Sequence, residues 1–312
     1  MRLSRRHFLQ HAAGAIGISG FTTKASEQNN GPDIQFPSQP QDRLAVTSYP
    51  FRAYIESPTN RGRHHDLPGM DLTQFPAMIA EKFGVHNVNP LIEHFRSTEP
   101  SYLDEFRKAL TDARSHIVDL GLPGKPFYSS DRTARQSAVE SGQKWVQLAQ
   151  TVGSPSVRQH ISSSGGGPPD VNLAVESLAQ LAEYSGKHGI VINLENDSPV
   201  AEDPFFLIQV IEKVNNPYLR ALPDFGNSLV GHNDEYNRKA VSGMFTRVFN
   251  MCHVKDKVTS SGQIYKVDLD DMFGIAKASG YRGYFSMEFD TNGGDPFKGT
   301  RQLVEATLKH LT

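Results

Sequence analysis

The stretch Ile190-Val191-Ile192-Asn193-Leu194-Glu195-Asn196 decides the fold. A short apolar, β-branched run ends on an ionisable side chain, and the pattern returns three times. The later runs are Leu219-Arg220-Ala221-Leu222-Pro223-Asp224, Phe249-Asn250-Met251-Cys252-His253 and Tyr284-Phe285-Ser286-Met287-Glu288. Glu195, Asp224, His253 and Glu288 stand 29, 29 and 35 residues apart, about one strand-plus-helix unit each. Runs this apolar are strands buried on both faces, as in a parallel sheet.

Working outward, the same alternation extends back to residue 43. Strands are predicted over 44–48, 85–89, 116–120, 156–161, 190–195, 219–224, 248–254 and 283–288. Amphipathic helices are predicted over 71–83, 101–113, 131–152, 171–188, 202–214, 234–245, 268–279 and 297–311. In 171–188, Leu173, Val175, Leu178, Leu181 and Ala182 recur at helical spacing, and Gly189 closes the helix. Eight strands alternating with eight helices predict a single (β/α)8 TIM barrel over 43–312. A doubly wound sheet is the rival, but Thr47-Ser48-Tyr49-Pro50-Phe51 follows the first strand where that fold often carries a glycine-rich phosphate loop.

Composition narrows the function. The 312 residues carry 32 basic and 34 acidic side chains, a net charge of −2, which offers no footprint for nucleic acid. Cys252 is the single cysteine, so no internal disulfide is expected; it alternates away from His253 toward the helices. Beyond the first thirty residues no apolar run approaches the ~20 residues that cross a bilayer. Ser4-Arg5-Arg6-His7-Phe8-Leu9-Gln10 resembles the twin-arginine export motif and is followed by a mildly apolar stretch. Residues 1–30 are therefore expected to be an export signal toward the periplasm or outside, with 31–42 a flexible lead-in.

The tips of neighbouring barrel strands converge on the mouth where such folds bind ligands. Three carboxylates gathered there repel one another and are costly to bury, and a cation removes that cost. With one imidazole, the set suits one divalent ion: Mn²⁺, Co²⁺, Fe²⁺, Zn²⁺ or Mg²⁺. The bland alternative is a group of unrelated acids capping the following helices. Lys255, two residues past His253, faces the same side; it would bind a substrate oxygen, stabilise an enolate, act as an acid, or simply pair with a loop carboxylate. Arg158 and His160 share one face of the fourth strand, either into the mouth or in packing. Asn89 and Glu93 after the second strand are weaker candidates. The Arg61-Gly62-Arg63-His64-His65-Asp66 loop either closes over the site or is a solvated charge run.

The phrases Leu194-Glu195-Asn196, Pro223-Asp224-Phe225-Gly226-Asn227, His253-Val254-Lys255-Asp256 and Met287-Glu288-Phe289 resemble the epimerase branch of the xylose-isomerase-like sugar isomerase and epimerase superfamily. The resemblance implies a sugar or glycoside substrate, homo-oligomerisation, and Glu195 and Glu288 as both metal ligands and acid/base pair. Asn196 and Asn227, within those phrases, join Arg158, His160 and Lys255 as substrate-binding candidates. The implied chemistry is isomerisation or epimerisation through a metal-stabilised enediolate. A lyase or dehydratase that expels a β-leaving group from an oxidised (3-keto) sugar or glycoside uses the same intermediate. A non-catalytic sugar-binding barrel is the alternative of another class. The apurinic-endonuclease branch is excluded by Asn227, where that branch carries histidine, and by the lack of histidine over 254–275. Ketose epimerases commonly carry histidine at position 227 and an arginine soon after His253; here 257–261 read Lys-Val-Thr-Ser-Ser.

Overall fold

A computed structural model describes residues 31–292 and 294–312. The twin-arginine segment expected over 1–30 lies outside the described residues. The strands are β1 (Leu44–Thr47), β2 (Asn87–Asn89), β3 (His116–Ile117), β4 (Leu120–Lys125), β5 (Ser156–Ile161), β6 (Val191–Glu195), β7 (Leu219–Leu222), β8 (Met251–Val254), β9 (Lys257–Ser260), β10 (Gln263–Lys266) and β11 (Tyr284–Met287). The α-helices are α1 (Phe75–Phe83), α2 (Pro100–Asp112), α3 (Arg132–Val152), α4 (Val171–Lys187), α5 (Pro204–Val214), α6 (Asp234–Phe245), α7 (Leu269–Ala278) and α8 (Pro296–Leu311).

The parallel strands run in two arcs, β3-β2-β1-β11-β8 and β4-β5-β6-β7. Bridges Leu91↔Gly121, Ala221↔Val248 and Asp224↔His253 join the arcs, and β1 pairs with β11, so the barrel closes. All eight expected strands are present as staves. The third is broken: it pauses after Ile117 and resumes as β4, which runs on to Lys125 rather than stopping at residue 120. The antiparallel β9–β10 hairpin was not expected; it turns through Ser261 and Gly262, both at positive φ, the two-residue turn that matches strand twist.

Local chemistry starts the helices. Asp131, Asp170, Asp203, Asp268 and Asp295 each accept backbone N–H groups at an N-cap, worth about 1 kcal/mol apiece. The α-helices that follow Glu195, Asp224 and Glu288 are α5, α6 and α8, capped by Asp203, Asn233 and Asp295, so none of the three caps its following α-helix. Outward-facing Val157, Ile192, Leu194, Phe285 and Met287 pack with Leu178, Leu181, Val210 and Leu303 of the helices. Cys252 lies in this core.

Segment 31–42, expected as a flexible lead-in, has no strand, and Phe36 seats edge-on against Phe249 and Tyr284 with centroids 5.4 and 6.1 Å away. No helix among the described residues is long and apolar enough to cross a membrane.

Inside the barrel lies a polar layer. The fully buried Asp119 accepts from Ser156 Oγ at 2.5 Å and Asn193 Nδ2 at 2.9 Å. Asn250 spans the interior, accepting from Asn193 Nδ2 at 3.1 Å and donating to Ser156 Oγ at 2.8 Å. Ser156 of β5 and Asn193 of β6 meet here Asp119, between β3 and β4, and Asn250, just before β8, and pairing repays desolvation.

Candidate metal centre and substrate cavity

Glu195 ends β6, Asp224 follows β7, His253 lies in β8 and Glu288 follows β11. All four are buried, and one ligand atom from each lies within 4.8 Å of the others. His253 Nδ1 is 2.6 Å from Glu195 Oε1 and 3.0 Å from Glu288 Oε2. Lys255 Nζ sits 3.3 Å from both Asp224 Oδ2 and Glu288 Oε2, and it donates to Asn227 Oδ1 at 2.8 Å. Arg158 Nη1 donates to Glu195 Oε2 at 2.7 Å.

Burial alone would raise every carboxyl here. For Glu195 the charges of His253 and Arg158 outweigh burial and hold it well below the usual range. Glu288 is brought down to about 2, burial again being overcome by His253 and Lys255. Asp224 goes the other way, to about 6, because burial and the two glutamates prevail over Lys255. Burial opposes the charge on His253, yet Glu288 and Glu195 lift its imidazole to about 10.

The residues fit a divalent cation. Asp224 Oδ2 and Glu288 Oε2 are buried without a well-formed hydrogen bond, although acceptors in such a setting are normally satisfied. Three carboxylate groups and an imidazole nitrogen are a donor set for a borderline or hard divalent ion. Asp224 Oδ1, by contrast, is fully used, accepting from the N–H groups of Gly226 and Asn227 at 2.9 and 2.7 Å.

A cavity of about 400 Å³ opens beside this cluster, lined by Tyr49, Arg158, His160, Asn227, Lys255 and Glu288 among others. Val258, Thr259 and Ser260 of β9 form part of its wall. Arg158 and His160 thus share a face of β5 that opens on the mouth, and Lys255 follows His253 by one strand alternation. Glu93 lines the cavity as well, whereas Asn89 lies beneath the ligands.

One expectation needs correction. Asn196 does not face the cavity: it is 2% exposed, accepts from Asp224 N at 2.8 Å and donates to the Asp224 carbonyl and Ser228 Oγ at 3.2 and 2.8 Å. It braces a candidate ligand's backbone. For the 61–66 loop, read as either a lid or a solvated charge run, the geometry favours a role clear of the site. Its Arg63 is spent on Glu56 at 2.7 Å and on the carbonyls of Ala53 and Leu67, and no residue of 52–70 lines the cavity.

Glu202 was missed. It is buried, 3.0 Å from His160 Nδ1, and accepts from Ile161 N at 2.7 Å, so it sets the ring of His160 toward the cavity. Nothing in the sequence marked it, since it lies in a loop seven residues past Glu195 and reads as a helix start. With Asp197, these two form another close His/Asp/Glu group, but the Glu202 oxygens are already engaged.

The chain matches the family described as xylose isomerase-like TIM barrel over residues 79–311, and it belongs to that family. Among solved structures it is similar to a D-allulose 3-epimerase from Methylomonas sp., at 15% identity and TM-score 0.65, covering 89% of this chain and 100% of that one. A xylose isomerase-like TIM barrel protein from Mycobacterium smegmatis, in complex with magnesium, matches at 17% identity and TM-score 0.62, covering 86% and 98%. A xylose isomerase-like TIM barrel/4-hydroxyphenylpyruvate dioxygenase fusion protein matches at 16% identity and TM-score 0.65; 85% of this chain spans 42% of that longer one. At these identities the likeness is one of fold. No curated protein matches significantly.

Proposed function

We propose that the chain is a divalent-metal-dependent sugar isomerase or epimerase, with Glu195, Asp224, His253 and Glu288 holding the ion. The observation that carries this is the convergence of four buried ligand atoms within 4.8 Å beside a polar cavity. The D-allulose 3-epimerase neighbour supports the substrate class. A bound divalent ion supplies positive charge to substrate oxygens and so acidifies the C–H beside a carbonyl. Glu195 and Glu288 reach the centre from β6 and β11, and they take and return that proton. Arg158 fixes the direction of the Glu195 carboxylate and lowers its basicity, so it works only on an acidified carbon. Lys255, aimed by Asn227, donates to a substrate oxygen, and His160, aimed by Glu202, meets another.

The test is NMR in D₂O of the protein loaded with Mn²⁺, Co²⁺ or Mg²⁺ in turn, the paramagnetic ions being chelated before spectra of the sugars are taken. Deuterium entering beside the carbonyl, together with a new sugar isomer, is the expected result. Loss of turnover is expected in Glu195→Gln and Glu288→Gln with the fold retained; full activity in both sinks the assignment. A second reading, β-elimination from a 3-keto glycoside, is favoured by His160, whose ring stands 3.9 Å from Glu195 where a leaving group would need a proton. Release of an aglycone with an unsaturated sugar would select it. Ligand binding without metal or turnover would leave a non-catalytic sugar-binding barrel.

Export of the folded chain is proposed from the twin-arginine motif, and retention of an Arg5→Lys, Arg6→Lys double variant inside the cell tests it. Homo-oligomerisation, an inherited family expectation, is tested by light scattering.

A further inference from the structure

We propose that Asn89, anchored on Asp119, is a positioning residue that fixes the His253 ring so that Nδ1 is the nitrogen presented to the divalent ion. The inference rests on the metal-centre reading above. Asn89 ends β2, on the opposite side of the sheet order from β6 and β7. Its Nδ2 donates to the Asp119 carbonyl at 3.0 Å and lies 3.4 Å from Asp119 Oδ2; the backbone carbonyl is an acceptor whatever the charge on the Asp119 side chain. That anchors the amide in one orientation, with Oδ1 turned to His253 Nε2 at 3.0 Å and to Ser286 Oγ at 3.4 Å.

An amide oxygen only accepts, so Nε2 of His253 carries its hydrogen. Nδ1 is then the ring nitrogen whose lone pair is available for a cation, and it is the one facing Glu195 and Glu288. Asp119 is itself pinned by Ser156 and Asn193, so the ring orientation is referred to the polar floor of the barrel. A partner of this kind behind a ligating histidine sets both tautomer and ring direction.

The experiment loads the full chain with Zn²⁺, a diamagnetic probe, and records long-range ¹H–¹⁵N spectra of the histidines, with His253→Gln supplying the assignment. The expected pattern for His253 is a protonated Nε2 and a metal-bound Nδ1. In Asn89→Leu, which keeps the shape and removes the acceptor, Zn²⁺ affinity is expected to fall about 10–100-fold and the two-nitrogen pattern to be lost. Asn89→Ser, which keeps a short acceptor, should recover part of both. A wild-type spectrum with Nε2 bound to the metal overturns the positioning role whatever the variants do. So does a folded Asn89→Leu protein with unchanged affinity and pattern. Absence of Zn²⁺ uptake by the unmodified chain overturns the metal centre itself, and the proposal with it.

Discussion

Arg158 and Glu195 form a buried ion pair, Nη1 to Oε2 at 2.7 Å, with side chains 8% and 1% exposed. It joins neighbouring staves, because Arg158 lies opposite Asn193 in the β5–β6 register and Glu195 is two residues further along. Each glutamate oxygen is therefore spoken for, one by Arg158 and the other by His253.

Removing Arg158 leaves a buried carboxylate short of a partner. Arg158→Met is expected to destabilise the metal-free protein by about 3–5 kcal/mol, and Arg158→Lys by less. Urea unfolding in the presence of a chelator measures it.

Cation uptake should compete with protons. His253 in the free protein is lifted to about 10 by Glu288 and Glu195 against the effect of burial, so below that pH its Nδ1 proton must leave for a metal to bind. Affinity is then expected to rise about tenfold per pH unit from pH 7 to 9, with one proton released per ion, and more steeply near pH 6, where Asp224 also gives up a proton. Titration calorimetry in buffers of different ionisation enthalpy counts the protons. His253→Ala should lower metal content at every pH.

His94 ties stability to pH away from the centre. It is fully buried with Nδ1 2.7 Å from Ser48 Oγ, and burial, aided by Arg52, pushes its imidazole down to about 3. The unfolded chain binds this proton below about 6.5 while the folded one refuses it, so the contribution is whole above pH 6.5 and shrinks as pH falls toward 3. At pH 5 the loss is about 2 kcal/mol. The difference in urea midpoint between pH 7.5 and pH 5 should be smaller in His94→Gln than in the unmodified protein.

Gly299 of α8 lies under the ring of Phe289, and a Cβ there would collide with that ring. Gly299→Ala is expected to cost about 1–3 kcal/mol in thermal or urea unfolding. Because Phe289 follows Glu288 directly, weaker cation binding should accompany the loss.

Apolar periodicity carried the staves and helices, and the ends of the last four staves carried the candidate ligands. His253 with Lys255, and Arg158 with His160, were legible because strand alternation is strict. The hairpin was not: Lys257–Ser260 is only half-buried and Gln263–Lys266 mostly exposed, so no burial pattern announces them, and only Ser261-Gly262 hints at a turn. Pro123 masked the continuation of β4. Asn196 and Glu202 show a deeper limit. A polar side chain beside a ligand can face the ligand's backbone as readily as the cavity, and partners distant in sequence decide which.

The contact between Asn89 and His253 also bears on how such a barrel can be divided. All four candidate ligands come from the C-terminal half of the chain, yet the footing of the histidine comes from the N-terminal half. A half-barrel carrying every ligand would still lack the part that aims one of them. Duplication of that half, or its graft onto another scaffold, would transfer the donor atoms without the alignment.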